Sequence, residues 1–339
     1  MEANQRVRIA VDVMGGDYAP GEIIKGAVLA AKEGDVEIIL AGPEHVVSAE
    51  LAKYGNSHHL PLRCVGADDF VTENEQSVIS IRRRHNTSLA VAARMVKAGE
   101  ADAMVSAGPT GALVASALRY MGMVDGLERP VIGGALATFA PNTVLMDCGV
   151  NVNCKPYHMV IFGIVGTIYA RKFLNIANPT VALLNIGAED GKGNDLTGES
   201  YALLQKSGLN FIGNIEGNGI LKGEANVIVC DGFTGNILFK FCEGGFEVID
   251  IWLKRKLKGF PLAVLLKSLS KDLTSLTSVP ESVGSGLIWG VDGITLKMHG
   301  ASKASQVADK IAQTKLAVEL NVISSLKSEL AAIREKLKF

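Results

Sequence analysis

The chain has 339 residues, 48% of them hydrophobic and 20% charged, with a net charge of −1 at pH 7. One compact core seldom grows to that size, so we expect two lobes or one large α/β unit, and the composition excludes a disordered chain. A near-zero net charge gives no general attraction to nucleic acid, so a charged partner would have to be bound by a local patch. We therefore predict a globular protein without a nucleic acid partner.

Five cysteines lie at scattered positions and form no CxxC pair, which predicts neither disulfides nor a zinc site. The N-terminal residues contain no long apolar signal region, and the longest apolar run, Met159 to Ala170, is shorter than the about 20 residues that span a bilayer. We expect a cytoplasmic protein with reduced cysteines.

Short β-branched runs alternate with longer helical patterns along the chain. Helices are predicted over Pro20 to Lys32, Ser88 to Lys97, Lys155 to Phe173 and Thr197 to Lys206. The strand runs mostly lack polar alternation, as expected where helices cover both faces of a sheet. This order predicts an α/β fold with a mostly parallel, doubly wound sheet. In chain order the strand runs are RVRIAVDV, VEIILAG, LRCVGA, ADAMVSAG, VIGGALAT, NTVLMDCG, TVALLNIG, LNFIGNI and ANVIVCDG.

Two segments depart from this rhythm. Residues 246–273 form two apolar helical pieces broken at Gly259 and Pro261, which predicts a helical hairpin protruding from the α/β body. Between Leu316 and Leu337, leucine and isoleucine recur at three- and four-residue intervals. That spacing predicts one C-terminal amphipathic helix over residues 306–339.

Six predicted strand ends run into glycine and polar residues, and such ends form the ligand crevice of open parallel sheets. Glycine lets backbone N–H groups approach an anion, and the next helix adds its dipole. Any one of these ends could be only a turn, but six together favour one shared crevice. No G-x-G-x-x-G opens a helix after a strand, no G-x-S-x-G occurs, and Gly187 to Gly193 is one residue short of a P-loop. The pattern therefore predicts an anion cradle without nucleotide machinery, built from AVDVMGGD, VSAGPTGA, LMDCGVN, LLNIGAEDGKGND, VCDGFTGN and LKMHGAS.

The motifs MGGD, SAGPTGAL, LLNIGAEDGKGND, NFIGNIEGN, VCDGFTGN and KMHGAS occur in this order. With them, roughly residues 7–305 resemble the bacterial phosphate acyltransferases, which form acyl phosphate from acyl-acyl carrier protein and inorganic phosphate for phospholipid synthesis. The resemblance implies an α/β/α sandwich related to phosphotransacetylase and isopropylmalate dehydrogenase. It also implies a phosphate acyltransferase unit over residues 6–305, with two lobes around a cleft, and a homodimer. One departure is Pro109, which stands where the family usually has asparagine and offers neither an amide side chain nor an N–H.

The reaction that this resemblance implies is attack of a phosphate oxygen on a thioester carbonyl. Phosphate is largely a dianion near neutral pH and a thiol leaves readily, so positioning and charge stabilisation should supply most of the catalysis. We expect Lys192 and Asn194 to hold phosphate, and His299 with Lys297 to neutralise the oxyanion or assist the departing thiol. Asp231 with Asn236 would orient that histidine or the nucleophile. The predicted catalytic residues are His299, Lys192, Asp231 and Lys297; the predicted phosphate- and substrate-binding residues are Gly15, Gly16, Asp17, Ser106, Gly108, Thr110, Gly111, Asn185, Gly187, Gly193, Asn194 and Asn236; Asp12 is predicted as structural support. No cofactor and no metal are expected.

Basic residues suggest where partners bind. Acyl carrier protein is acidic, so Arg82, Arg83 and Arg84, or the basic stretch 254–271, could dock it. The mixed apolar and basic segment 246–273 would also suit a helix lying on an anionic membrane, although an ordinary solvated helix pair remains open. We expect peripheral contact with the inner face of the membrane and handover to a membrane glycerol-3-phosphate acyltransferase. The predicted contact residues are Lys254, Arg255, Lys256, Lys258, Leu265 and Lys267.

Three other functions remain open. A phosphotransacetylase acting on a short acyl-CoA is the nearest alternative. A decarboxylating dehydrogenase would need paired acids for a divalent metal, for which Asp147 and Asp231 are the plausible strand-end pair. A non-catalytic membrane scaffold would not require six polar glycine-rich strand ends.

Overall fold

A computed structural model describes residues 6–55, 59–136, 140, 142–257 and 286–337. The chain divides into two compact units. Unit 1 consists of Met1–Pro130 and Gly286–Ser324, and unit 2 consists of Val131–Ser285 and Ser325–Phe339.

Strands and helices alternate through most of the described chain, as the α/β pattern predicts. In chain order they are β1 (Val7–Asp12), α1 (Gly21–Lys32), β2 (Val36–Gly42), α2 (Glu44–Leu51), β3 (Leu62–Gly66), α3 (Ser77–Arg83), α4 (Ser88–Lys97), β4 (Ala103–Ser106), α5 (Thr110–Tyr120), β5 (Val131–Ala135), β6 (Val144–Met146), α6 (Pro156–Phe173), β7 (Val181–Leu184), α7 (Asp195–Ser207), β8 (Phe211–Ile215), α8 (Gly217–Ile220), β9 (Val227–Val229), α9 (Gly232–Leu257), β10 (Ile288–Trp289), β11 (Ile294–Lys297), α10 (Ala304–Glu319) and α11 (Val322–Leu337).

The sheet of unit 1 has the order β11-β4-β1-β2-β3 within the described residues, and every neighbouring pair is parallel. On one face, Ile9 and Val11 of β1 pack with Ile23 of α1 and Val307 of α10 in a buried core. Gly26 lets α1 and α10 approach closely, since a Cβ at this position would lie 2.4 Å from the Cβ of Val307. The opposite face carries the alternate strand residues, because successive side chains of a strand point to opposite sides.

The described strands of unit 2 follow the order β5-β6-β9-β7-β8. β5 and β6 are antiparallel, and the other neighbouring pairs are parallel. Helix α6 contains the longest apolar run of the sequence and is buried from His158 to Ala170. Its Gly166 faces β9, where a Cβ would lie 2.3 Å from Cγ1 of Val227. The apolar run is therefore the central helix of a globular unit.

Each of the nine predicted strand runs contains a strand, but the C-terminal prediction is wrong. Where one amphipathic helix was predicted over 306–339, two helices, α10 and α11, meet at Asn321. Asn321 has a φ of 53°, a left-handed conformation that asparagine tolerates better than most residues. The periodic apolar positions continue across this break, which is why periodicity alone does not reveal it.

Helix α9 begins at Gly232, well before the predicted hairpin segment at 246. The predicted break at Gly259 and Pro261 lies outside the described residues. Among the helices that the structure describes, none is long and apolar enough to cross a membrane.

Candidate active site

Three polar residues end adjacent strands of unit 1 on the same face of the sheet. Lys297 of β11 is in register with Ser106 of β4, and Asp12 ends β1 on the other side of β4. Their neighbours Val11 and Val105 point into the core with α1, so the polar residues point to the opposite face. The structure thus brings together Asp12, Ser106 and Lys297; together with His299 and the loops beside them they are called the unit 1 cluster.

Asp12 holds the loop after β1 and the loop after β4. The carboxylate is buried and accepts hydrogen bonds from the Ser106 hydroxyl at 2.6 Å and from the Met14 N–H at 3.2 Å. The Ser106 oxygen in turn accepts the Gly108 N–H at 2.9 Å. Burial raises the pKa of Asp12, against the opposing effect of the Ser106 hydrogen bond. This carboxylate supports loops rather than facing solvent.

Glycines let these two loops touch. A Cβ on Gly15 would lie 2.5 Å from the backbone nitrogen of Gly108, and Gly16 has a φ of 101°. Asp17 joins the third loop, since its N–H donates to the Gly300 carbonyl at 2.8 Å. The glycine pattern therefore brings the ends of β1, β4 and β11 into backbone contact.

The substitution of proline at position 109 fits the start of α5. Pro109 is the N-cap, and its carbonyl accepts the N–H groups of Ala112 and Leu113, both at 3.0 Å. Thr110 and Gly111 are exposed in the first turn. A Cβ on Gly111 would lie 3.3 Å from the Cβ of Ser77, which begins α3. The first turn of α5, directly after the loop that follows β4, is thus packed against the start of α3.

His299 and Lys297 offer different chemistry. His299 is exposed, and its Nδ1 accepts the Ala301 N–H at 3.2 Å, so the neutral ring carries its proton on Nε2 and can donate there. The Lys297 ammonium donates to the Ala107 carbonyl at 3.2 Å. Burial lowers the pKa of Lys297, although Glu73, Asp12 and Asp17 oppose that shift.

A pocket of about 350 Å³ lies in unit 2, where two neighbouring strands lead into helices. One wall is the segment between β7 and α7, and the other is the junction of β9 and α9. The N-termini of two helices therefore border one pocket, where the helix dipoles favour an anion. The lining residues are Met159, Leu183, Leu184, Asn185, Ile186, Gly193, Asn194, Leu196, Thr197, Cys230, Asp231 and Thr234.

Asn185 and Gly193 shape the pocket wall after β7. The Asn185 side chain accepts the Ile186 N–H at 2.8 Å and donates to the Lys192 carbonyl at 2.8 Å, closing the loop. Gly193 has a φ of 101°, and a Cβ there would lie 2.0 Å from Oγ1 of Thr197. Only glycine fits this position without rebuilding the loop.

One predicted ligand, Asn194, and one predicted catalytic residue, Asp231, cap helices. Oδ1 of Asn194 accepts the Thr197 N–H at 3.0 Å, so only its NH2 group remains to contact a ligand. The carboxylate of Asp231 accepts both the N–H and the hydroxyl of Thr234, at 3.0 and 2.7 Å. The motifs N-x-x-T and D-x-x-T are cap signals that the sequence analysis did not use. The role of Asp231 in orienting His299 stays a prediction.

Lys192 is the exposed cation of this loop. Its stem lies over Gly187, where a Cβ would be 2.9 Å from Cγ of Lys192. The Lys192 ammonium has no hydrogen-bond or ion-pair partner among the residues that the structure describes. Asn236, in contrast, donates to the Cys148 carbonyl at 3.3 Å and packs on Gly149.

Asp147 supports the loop after β6, whereas the dehydrogenase alternative predicts it as a metal ligand. It is buried after β6, and its carboxylate accepts N–H groups of Gly149, Val150 and Asn151 and the Asn151 side-chain amide. Burial raises its pKa, against these hydrogen bonds. The rival hypothesis of a metal pair with Asp231 gains no support, because both carboxylates hold backbone and side-chain donors. Within the described ranges, no group of three or more His, Cys, Asp or Glu side chains is arranged to hold a metal.

The predicted partner-contact residues are only partly described. Arg255 is exposed on α9, while the side chains of Lys254 and Lys256 and the residues Lys258, Leu265 and Lys267 lie outside the described part. Their roles stay predictions.

Comparison with known proteins shows the fold class first. The structure matches a phosphotransacetylase from Streptococcus pyogenes with a TM-score of 0.62 and 18% identity, covering 93% of this chain and 95% of that chain. It also matches the EutD phosphotransacetylase from Staphylococcus aureus with a TM-score of 0.58 and 16% identity, over 93% and 94% of the two chains. The fold is the predicted α/β/α sandwich of the phosphotransacetylase type.

Sequence relatives show the family. The model of the family described as "Fatty acid synthesis protein" matches residues 7–325. The phosphate acyltransferase of Pelotomaculum thermopropionicum is 41% identical over 334 residues, 97% of each chain. That of Thermoanaerobacterium thermosaccharolyticum is 41% identical over 335 residues, 98% of this chain and 99% of the relative. The chain belongs to the phosphate acyltransferase family, as predicted, and is an acyltransferase.

Proposed function

We propose that the protein transfers a fatty acyl group from acyl-acyl carrier protein to inorganic phosphate, giving acyl phosphate for phospholipid synthesis. The observation that carries the proposal is the unit 2 pocket, which lies between two helix N-termini and next to the loop that carries the exposed Lys192. The names of the relatives, phosphate acyltransferases at 41% identity over nearly the whole chain, agree with it.

Two acids lie in or near the pocket, and both are held by neighbouring residues, so the positive groups of the pocket can attract phosphate. Asp190 accepts the Tyr201 hydroxyl at 2.5 Å, which raises the pKa of Tyr201, and Asp231 is saturated by Thr234. Both carboxylates therefore already accept hydrogen bonds from neighbouring protein groups. The helix N-termini and Lys192 supply positive potential, and Lys binds phosphate as a point charge.

The reaction needs little from the protein beyond positioning and charge. An oxygen of the phosphate dianion attacks the thioester carbonyl carbon, a C–O bond forms, the C–S bond breaks, and the thiolate leaves and takes a proton from water. The Nε2–H of His299 and the Lys297 ammonium give the unit 1 cluster a hydrogen-bond donor and a positive charge, and their role in stabilising the oxyanion stays a prediction. No covalent acyl-enzyme is required.

The test is to compare acyl donors with the purified enzyme and inorganic phosphate. We expect acyl phosphate from acyl-acyl carrier protein, with kcat/KM above that for short acyl-CoA. A strong preference for short acyl-CoA would favour the alternative, a phosphotransacetylase. No phosphate-dependent thiol release with either donor would refute acyl transfer to phosphate.

A homodimer is proposed because α9 has an exposed apolar stripe. The stripe runs along about 29 Å of helix at spacings of four and seven residues, the separation that keeps side chains on one face. A two-fold pair would bury the stripes of two copies against each other. Light scattering should give twice the chain mass for the wild type and a lower mass for Phe241→Glu; an unchanged dimer in that variant would contradict the proposal. The stripe residues are Phe233, Ile237, Phe241, Val248 and Trp252.

We also propose peripheral contact of segment 246–273 with the inner face of the membrane, and handover of acyl phosphate to a membrane glycerol-3-phosphate acyltransferase. A fatty acyl phosphate is amphipathic, so release at a membrane surface suits its chemistry. Flotation with anionic vesicles should decrease in Leu265→Glu. Equal flotation of the variant and the wild type would reject this contact.

A further inference from the structure

Four arginines of unit 1 form a positively charged surface that lacks carboxylate partners. All four are exposed on or beside helices α3, α4 and α5. Four other arginines of the chain differ: Arg8, Arg63, Arg84 and Arg171 each form an ion pair with an Asp or Glu. The four, called the arginine surface, are Arg82, Arg83, Arg94 and Arg119, and among the described residues none of them forms an ion pair.

Neutral groups hold part of this surface in place. Arg119 donates to the Arg82 carbonyl at 3.2 Å and contacts Nδ1 of His85 at 3.3 Å. Arg94 donates to the carbonyl of His85 and to Oδ1 of Asn86. The guanidinium carbons of Arg94 and Arg119 each lie 5.5 Å from the centre of the Tyr120 ring. Positive charge is thus held in position without being cancelled, which lowers the entropy cost of binding an anion.

The acids close to the surface are already engaged. Arg84 bonds to both Asp69 and Glu75, so it is not available for docking, contrary to the prediction that grouped it with Arg82 and Arg83. Asp68 accepts the Asn86 side-chain amide at 2.6 Å. The arginine surface and Arg84 together carry five positive charges against the three acids Asp68, Asp69 and Glu75, so a net positive charge remains.

Two exposed apolar side chains also lie on α3, the helix that carries Arg82 and Arg83. Val78 and Ile79 of α3 are 51% and 44% exposed, large fractions for aliphatic residues. A surface that combines fixed guanidinium groups with exposed aliphatic side chains fits an amphipathic acidic helix better than a phosphodiester backbone. Carboxylates match the guanidinium fork, and apolar side chains gain nothing from phosphates.

The arginine surface is close to the unit 1 cluster. Helix α3 starts at Ser77, which packs on Gly111 in the first turn of α5, directly after the loop that follows β4. Arg83 ends the same helix, about 9 Å further along its axis. A partner bound at the C-terminal end of α3 would have a short path to that loop.

We infer that the arginine surface docks an acidic helix of the carrier protein that delivers the acyl thioester. The identity of the partner rests on the proposed function, whereas the surface and its charge do not. Rim charges of this kind speed association and are sensitive to salt.

The experiment replaces Arg82→Gln and Arg83→Gln together, with Arg63→Gln as the matched control. Arg63 is an exposed arginine of unit 1 that is paired with Glu37 at 2.9 Å. We expect the double variant to lose about tenfold in kcat/KM with the carrier-bound donor, as for about 1.4 kcal/mol of binding. The loss with acyl-CoA should be below about twofold, and the carrier defect should shrink in 0.5 M salt, where the Debye length is about 4 Å. Equal losses with both donors, or none, would overturn the inference.

A binding measurement separates this inference from the proposed function. Fluorescence anisotropy of labelled carrier protein without its acyl group requires no turnover. Weaker binding by the double variant, with normal binding by Arg63→Gln, supports the docking surface even if no acyl phosphate forms. Unchanged carrier binding, or loss of binding to anionic vesicles alone, would reject it in favour of another anionic partner.

Discussion

Replacement of Lys192 by alanine tests the phosphate pocket most directly. The ammonium has no partner among the described residues, and the stem packs on the loop at Gly187. Truncation should therefore change the free energy of unfolding by no more than about 0.5 kcal/mol. If Lys192 binds phosphate, the loss of one charge-assisted hydrogen bond costs about 1.5–3 kcal/mol. That corresponds to about a 10- to 150-fold fall in kcat/KM for phosphate.

The assay follows thiol release at saturating acyl donor while phosphate is varied. Lys206→Ala is the control, because Lys206 is exposed in the last turn of α7, at the end away from Gly193 and Asn194. Lys192→Arg should recover part of the activity, since it keeps the charge with a different geometry. A Lys192→Ala enzyme that melts like the wild type and keeps its KM for phosphate and its kcat within twofold would refute the assignment.

Two further predictions concern the unit 1 cluster. Ser106→Ala leaves the buried Asp12 carboxylate and the Gly108 N–H each short of one partner, so the free energy of unfolding in urea should fall by about 1–3 kcal/mol; a change below about 0.5 kcal/mol would contradict the network. Lys297 has a lowered pKa in the folded state, so between that pKa and the unfolded value of about 10.4 the unfolded chain binds more protons, and this group makes stability rise with pH. The stability of the wild type relative to Lys297→Met should accordingly increase between neutral pH and about pH 10, and a difference independent of pH would show that burial does not shift this lysine.

Local sequence patterns predicted the helices and strands well, because the formation of each element depends mainly on residues that are neighbours in sequence. The predicted helix 88–97 matches α4, and the predicted helix 155–173 is within one residue of α6. Pairing between strands is a tertiary property, so the antiparallel partnership of β5 and β6 and the grouping of strands into two units were not predictable from periodicity. The break at Asn321 was missed for a related reason, since one left-handed residue interrupts a helix without disturbing its apolar spacing.

The site could be predicted at the level of strand ends, but not of individual contacts. The pattern of glycine and polar residues at strand ends predicted Asp12, Ser106 and Lys297 as site residues, and the structure brings these three together. Asn194 and Asp231 were read as ligand or catalytic groups, yet their side chains cap helices α7 and α9. A short polar residue at a strand–helix junction satisfies both descriptions, and only the hydrogen-bond partner distinguishes them.

The strand-end acids illustrate how a site for an anion can be rich in carboxylates. Asp12 is the last residue of β1 in unit 1, and Asp147 directly follows β6 in unit 2; both are buried and accept hydrogen bonds from the following loop. Burial raises the pKa of each carboxyl, and the hydrogen bonds that the carboxylate accepts offset part of the cost of burying it. The same hydrogen bonds hold the following loop in place. A carboxylate whose oxygens face protein donors points away from the ligand, so it repels a phosphate only weakly. It fixes glycine-rich backbone that could not otherwise keep one conformation, because glycine loses more conformational freedom on ordering than other residues. The main effect of replacing Asp12 or Asp147 should therefore be a less ordered loop rather than a changed charge at the site.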